Sequence, residues 1–501
     1  MKKFIFLTFA LFSTFEFVLA QDGSVRTFCN PLELPYRFEY NKTSHRTSAD
    51  PTIVTYQDTY FLFASKVGGF YYSDDLVNWK LHQNEDMPLK ESYAPSAINL
   101  GDTLLLYGAT VHGEDAVFYS ISDPFSDEWQ EEIKLPFDVF DVAFFIDDDN
   151  RFYLYWGLSS RNTIYGIELD VNNNFQPIGE RVDLLTANYE EHGWEMRPFD
   201  KISEKAPWIE GAWVNKFNGK YYLQYAGPGT QFDEYADGIY VADQPLGPYD
   251  YQPYSPFSFK PTGFAPGAGH GSTFTDKFGN LWHFATAVIC DLHWVERRIS
   301  LFPVFLKKSG QLQSHNAWGD YPLVVPQAKT TMVEDYRSGW QLLSRGKVAS
   351  ASSTLQDNDV NLAFDENIKT YWIASSTQPG EWLSVDLGEP MTIEAFQVNF
   401  AEAGTEIFGY QSSDYHQYLL EYSNDKQNWQ TLIDKRNNTT SIPHDYEQLG
   451  QPVKARYIKI TNQYVPGKYF AIRDLRIFGR GEGEPPAKTR FTKWARNRFN
   501  Q

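Results

Sequence analysis

Three carboxylates and one histidine hold the chemistry that this chain offers. Asp50 lies in TSADPTIV (47–54), Asp141 opens DVAFFIDDDN (141–150), Glu210 lies in IEGAW (209–213), and His270 lies in GHGST (269–273). Hydrolysis of a glycosidic bond requires one protonated carboxyl to help the leaving oxygen depart, and one ionised carboxylate to activate water or to attack. Two of these acids would suffice. A third beside the acid raises its pKa by like-charge repulsion and helps orient it, and a histidine at the same mouth would bind substrate, or help hold a metal or ordered water on the axis. Taken singly, each residue has an ordinary explanation. Asp50 precedes Pro51, a common way to start a turn. Asp141 competes with the cluster 147–149, which reads as a solvated hairpin turn, and His270 reads equally as a satisfied loop histidine.

A shared offset argues for treating them together. Each precedes an aromatic strand by ten or eleven residues: Asp50 before Tyr60, Asp141 before Phe152, Glu210 before Tyr221, His270 before Leu281. Ala94 stands ten residues before Leu104, so the offset is structural first and chemistry occupies some of its positions. The repeated unit is an apolar strand, a turn such as Asn218-Gly219 or Gly279-Asn280, and a Tyr- and Phe-rich strand. Successive aromatic strands begin 44, 48, 69 and 60 residues apart; repeats of roughly 40–50 residues indicate solenoids, propellers or arrays, and short β-rich units favour four-stranded blades around a channel. The predicted fold is all-β: a five-bladed propeller over residues 21–345, then another all-β unit over 346–481 and a basic tail over 482–501. A second repeat places Trp79, Trp129 and Tyr249 after Asp-led turns, where each would plug the outer part of a blade.

Composition narrows the partners. The chain has 501 residues and a formal net charge of −20, which argues against a phosphate backbone as ligand. Aromatics make up 17 %; they suit sugar faces and sheet cores alike. Residues 1–20 read as a secretory signal, with Lys2 and Lys3 ahead of an apolar run ending at Ala20, so the mature protein is expected in the periplasm or secreted. No later stretch is long and apolar enough to span a membrane. The two cysteines, Cys29 and Cys290, could join the ends of the ring as a disulfide in an oxidising compartment or remain separate thiols.

The segments quoted above, with YAPS (93–96), resemble glycoside hydrolase family 43 over roughly residues 28–325. The resemblance implies a five-bladed propeller and an inverting hydrolase of arabinose-, xylose- or galactose-containing glycans. By it, Asp50 is the general base, Asp141 the pKa modulator and Glu210 the general acid, with His270 and Arg298 touching substrate and Arg297 competing for the latter role. Val142 and Asn150 depart from the family's usual Pro and Gly, without removing a carboxylate. Inversion would place the Asp50 and Glu210 carboxyls roughly 6.5–9.5 Å apart.

Downstream, VASASS (348–353), AFDENIKTYW (363–372), EWLSVDLG (381–388), LEYSNDKQNW (420–429) and ARYIKI (455–460) resemble a discoidin, or coagulation factor 5/8 type C, domain. The resemblance implies a β-sandwich over 346–481, of the discoidin-like jelly-roll kind; such domains bind sugars, lipids or proteins through variable loops. Asp365, Asn367 and Thr370 fall where many members hold structural calcium; a hydrogen-bonded turn without metal is the alternative, and a calcium or other ion on the propeller axis is a further implication. Trp372, Trp382 and Trp429 read as core. The resulting expectation is an exported glycosidase acting on a plant or algal polysaccharide, first a β-xylosidase, then an α-L-arabinofuranosidase or exo-β-galactosidase, with no organic cofactor. A non-catalytic lectin is the rival of another class, and it has no need for three acids in matching positions.

Overall fold

In a computed structural model of the chain, residues 26–39, 43–83, 87, 92–109, 117–159, 163–196, 208–409, 411 and 413–486 are described. The signal-like residues 1–20 and the end of the basic tail, 487–501, lie outside them. No α-helix occurs among the described residues.

Five antiparallel sheets follow one another in sequence, each opening on an inner strand: Thr52–Tyr56, Tyr93–Asn99, Ala143–Ile146, Glu210–Phe217 and Gly269–Thr275. The second strands are the aromatic ones, Thr59–Phe63, Leu104–Ala109, Phe152–Trp156, Lys220–Gly227 and Leu281–Val288. Consecutive strands within each sheet are hydrogen-bonded neighbours, except that Ser258–Phe259 in the fourth sheet returns to pair with Ala236–Ala242. The inner strands touch in a closed cycle, first to second, third, fourth, fifth and back to first, which makes the sheets blades of a propeller. Left-handed turn residues close the first hairpins, among them Asp58 (φ 64°), Asn150 (φ 65°) and Asn218 (φ 53°), side chains that tolerate this conformation.

The apolar core lies between blades. One cluster joins Tyr107 and Phe118 of blade two to Phe144 and Phe152 of blade three; another joins Tyr155 of blade three to Leu223 of blade four. The repeated outer aromatics also work between blades, not within one. Trp79 meets Phe284 of blade five edge-on, with ring centroids 5.7 Å apart. Trp129 and Tyr249 pack on clusters that their blades share with blades one and three. Asp147, expected in a solvated turn, is buried instead; it accepts hydrogen bonds from Lys216 and Tyr221 of blade four.

Backbone bonds close the ring. The lead-in follows blade five, with Leu32 N–H donating to Ile299 O at 2.9 Å and Ser48 N–H to Arg297 O at 3.2 Å, before entering blade one at Asp50. No disulfide contributes: both cysteines are free thiols. Cys29 Sγ accepts from Arg476 Nη1, while Cys290 Sγ donates to Trp294 O.

The second unit is a β-sandwich in which long bent strands serve both layers. Trp382–Phe400 pairs through its first half with Val348–Ala351 and through its second with Ala471–Arg480, with register shifts between. Its core includes Trp372, Phe396, Leu420, Ile458 and Ile477. The sandwich begins earlier than expected. Gln341 and Leu342 pair with Gly479 and Phe478, and Glu484, assigned from sequence to the tail, bridges back to Leu342.

Four buried arginines join the units. Arg46 donates through Nε to both Glu402 carboxylate oxygens (2.7 and 2.8 Å) and through Nη1 to Ser441 Oγ (2.8 Å). Arg298 bonds His444 Nε2 (2.9 Å), Arg473 bonds Asp291 and Glu296, and Arg476 bonds Asp320 O from across the boundary. Charges at this depth need several partners each to offset their desolvation, and these have them.

Candidate active site

Every blade opens its inner strand with a left-handed residue: Asp50 (φ 53°), Ala94 (φ 41°), Asp141 (φ 49°), Gly211 (φ 64°) and His270 (φ 44°). For a residue with a Cβ this conformation costs roughly 1–2 kcal/mol, and four of the five have one. In three blades it lies in a break of ladder register, at Tyr93/Ser96, Glu210/Trp213 and Gly269/Ser272. The break re-aims the start of the strand, as bulges beside active sites do. Glu210 does not occupy the repeated position. In blade four that position is Gly211, and the acid stands one residue earlier, opposite Ala226 in the ladder.

The three acids and His270 converge. His270 Nδ1 lies 3.3 Å from Asp50 Oδ1 and 3.9 Å from Asp141 Oδ2, and the Glu210 charge acts on both Asp141 and His270. The hollow is open to solvent: the side chains of Asp141 and His270 keep 12 % and 13 % of their exposure.

Their surroundings hold the acids in different states. Burial alone would push the Asp50 carboxyl up, but the Arg297 and His270 charges and a hydrogen bond from Ser65 outweigh it and hold the group below its usual range. Ser65 Oγ donates to Oδ2 at 2.6 Å and Arg297 Nη1 reaches both oxygens at 3.3 and 3.4 Å. Asp141 is pushed the other way, up to about 7, first by burial and then by the neighbouring Glu210 and Asp50 charges, with His270 opposing. Glu210 accepts from Tyr235 O–H through one oxygen and from Trp208 Nε1 (2.6 Å) through the other. Burial disfavours a charged His270, yet the surrounding Asp50, Asp141 and Glu210 carboxylates raise it above the ordinary histidine value. Buried Asp237 fixes that strand start, accepting from His270 N–H at 2.7 Å and Gly271 N–H at 3.0 Å.

Arg298 differs from what the sequence led one to expect. Arg298 points away from the hollow into the interface with the sandwich, donating to His444 and to Arg46 O. Neighbours on a strand face opposite sides, so Arg297 is the arginine at Asp50. The Asp365 turn closes on itself: Asp365 accepts from Asn367 N–H (3.0 Å) and Thr370 Oγ1 (2.8 Å), and Asn367 Oδ1 accepts from Lys369 N–H (3.1 Å). These bonds bring the Asp365, Asn367 and Thr370 oxygens into one turn. Among the described residues no group of three His, Cys, Asp or Glu side chains has a metal-holding arrangement. Sequence reasoning missed Ser65, Tyr235 and Asp237. They lie in or beside connections between strands and carry no repeat signal.

The family model for glycosyl hydrolases family 43 matches residues 41–311, and that for the F5/8 type C domain matches residues 348–475. A xylosidase/arabinosidase 43A of Humicola insolens is 28 % identical over 201 residues, 33 % of this chain and 59 % of that protein. An arabinoxylan arabinofuranohydrolase of Paenibacillus polymyxa is 31 % identical over 154 residues, 29 % of this chain and 22 % of that protein. A β-xylosidase of Xylanibacter ruminicola is 29 % identical over 129 residues, 22 % of this chain and 39 % of that protein. The chain thus spans less than two thirds of each of these relatives. A solved glycoside hydrolase structure superposes with a TM-score of 0.50 at 17 % identity, over 88 % of this chain and 99 % of that one, a likeness of fold alone.

Proposed function

The chain belongs to glycosyl hydrolases family 43, and on that premise we propose that it is an exported, inverting hydrolase that releases pentose residues from a plant or algal polysaccharide, β-D-xylose first. The observation that carries the reading is the unlike environment of the carboxylates around His270. Asp50 is held ionised by Arg297 and Ser65, the state a general base needs. Glu210 is the general acid, steered by Tyr235 and Trp208, and Asp141 is its modulator. In one turn of the reaction Asp50 takes a proton from water as that water attacks the anomeric carbon. Glu210 gives a proton to the departing glycosidic oxygen, and both return to their starting states by exchange with solvent.

The names of the relatives favour xylose, and they favour arabinofuranose as a second reading. Export rests on the N-terminal residues 1–20.

The test incubates the full chain with aryl β-D-xyloside, aryl α-L-arabinofuranoside and aryl β-D-galactoside, with Glu210→Gln and Asp50→Asn beside it. The xyloside is expected to be cleaved fastest, with α-xylose as the first-formed anomer by proton NMR. Asp50→Asn should lose about 10²–10⁴-fold in rate. Glu210→Gln should lose less on a good aryl leaving group than on xylobiose. A β-anomer as first product would overturn inversion, and cleavage by Glu210→Gln equal to wild type on xylobiose would overturn the acid assignment.

A further inference from the structure

The connection 228–235, between the blade-four strands Lys220–Gly227 and Ala236–Ala242, carries three side chains with separate targets. Tyr235 O–H donates to Glu210. Thr230 Oγ1 accepts from Arg297 Nη1 at 3.0 Å, the guanidinium nitrogen that also reaches Asp50. Asp233 faces outward and accepts from Lys369 Nζ of the sandwich at 2.5 Å. The Tyr235 carbonyl accepts from Ala268 N–H, two residues before His270. A single short connection therefore touches the partners of the acid and the base and the strand that bears the histidine.

Lys369 is a firm post for that connection. Ile368, beside it, is fully buried among Phe264, Ala265, Ala287 and Ile289 of the propeller, and its N–H donates to Phe264 O at 3.2 Å. Arg473 Nη1 bonds both Ile368 O (2.6 Å) and Asp291 (3.0 Å). The sandwich turn is thus fixed to blade five, and from there Lys369 reaches across to blade four. The Lys369–Asp233 pair itself is partly exposed, at 32 % and 40 %. Pairs of this kind contribute little to global stability, whereas small displacements of catalytic groups cost much in rate.

We infer that Lys369 is a positioning residue for the reaction proposed above: by holding Asp233 it sets the connection 228–235, and with it Tyr235 on the acid and Thr230 on the arginine that holds the base. The discoidin-like domain then belongs to the catalytic apparatus, whatever else its own loops bind. The inference rests on the roles proposed for Glu210 and Asp50.

The test uses the full chain with Lys369→Met, Asp233→Asn, Lys369→Arg and the exchange Lys369→Asp/Asp233→Lys. Steady-state kinetics on the best aryl glycoside are read beside hydrogen exchange of peptides covering 226–236 and the melting temperature. The first two variants should lower kcat by about tenfold with KM within about twofold, a modest part of what misplacement can cost. They should also speed exchange in 226–236 while leaving the melting temperature in place. Lys369→Arg and the exchanged pair should recover both readouts. Unchanged exchange, or unchanged kcat in an active enzyme, overturns the inference. If the wild-type chain cleaves no glycoside, the functional reading falls, and exchange alone still decides whether Lys369 holds the connection.

Discussion

Gly211 lies so close to the His270 imidazole that a Cβ on it would stand 2.7 Å from the ring's Cδ2 and Cγ. Its φ of 64° is also in the left-handed region. The residue after the acid is glycine for two reasons at once. Gly211→Ala should therefore displace His270 and disturb Asp141 together. The expected outcome is a loss of ~1–3 kcal/mol of stability and at least a tenfold fall in kcat/KM, read by thermal melting and steady-state kinetics.

Asp141 predicts a pH-dependent stability. Its carboxyl ordinarily titrates at 3.8 and is pushed up to about 7 by burial first, then by Glu210 and Asp50. Between those values the folded chain retains a proton that the unfolded chain has released. Stability attributable to this group therefore falls as pH rises from about 4 through about 7, and the deficit is complete above that. Asp141→Asn removes the deficit. Its melting temperature should exceed that of wild type at pH 8, with the difference shrinking towards pH 4, while its activity is lower throughout.

Arg297 and Arg298 should separate cleanly. Asp50 is held below its usual range against the effect of burial, chiefly by Arg297. Its contribution to stability is present above the unfolded value and lost as pH falls through the folded one. Arg297→Ala lets that carboxyl rise, so the acid limb of the kcat/KM profile should move to higher pH. Arg298→Ala should leave that limb in place. It removes the donor to His444 and Arg46 O at the domain boundary, and its effect should appear as a lower melting temperature.

The Arg46–Glu402 pair tests whether the two units melt as one. Both side chains are buried, and Arg46 makes further bonds to Ser441 and Asp414 of the sandwich. Glu402→Ala removes the nearer of two buried carboxylates and leaves the guanidinium only that of Asp414, at 3.8 Å. Breaking a buried pair costs about 3–5 kcal/mol, and the Asp414 charge keeps this case towards the lower figure. Calorimetry should show one transition for wild type and an earlier transition for the variant.

The sequence made the ring and its acids visible because blades repeat a backbone, and the repeat marks where inner strands begin. It misplaced Glu210 by one residue, because counting back from Tyr221 cannot see the register break between Glu210 and Trp213. It weighed Arg298 above Arg297 because the facing of a strand becomes visible only when its neighbours are known; here Arg298 faces His444, 146 residues downstream. Tyr235 and Lys369 gave no signal at all. Their roles come from contacts between segments far apart in the chain, Tyr235 to Glu210 across 25 residues and Lys369 to Asp233 across 136. The cysteine pairing was open in sequence, and the structure keeps the thiols apart.

Ala94 adopts the same backbone conformation as Asp50, Asp141 and His270 at the head of its own blade. The ring has therefore already set the main chain there, and only a methyl group is presented. A carboxylate or imidazole introduced at residue 94 would start from a main chain already in the conformation that Asp50, Asp141 and His270 use, so adding a polar group at this blade head rebuilds no backbone.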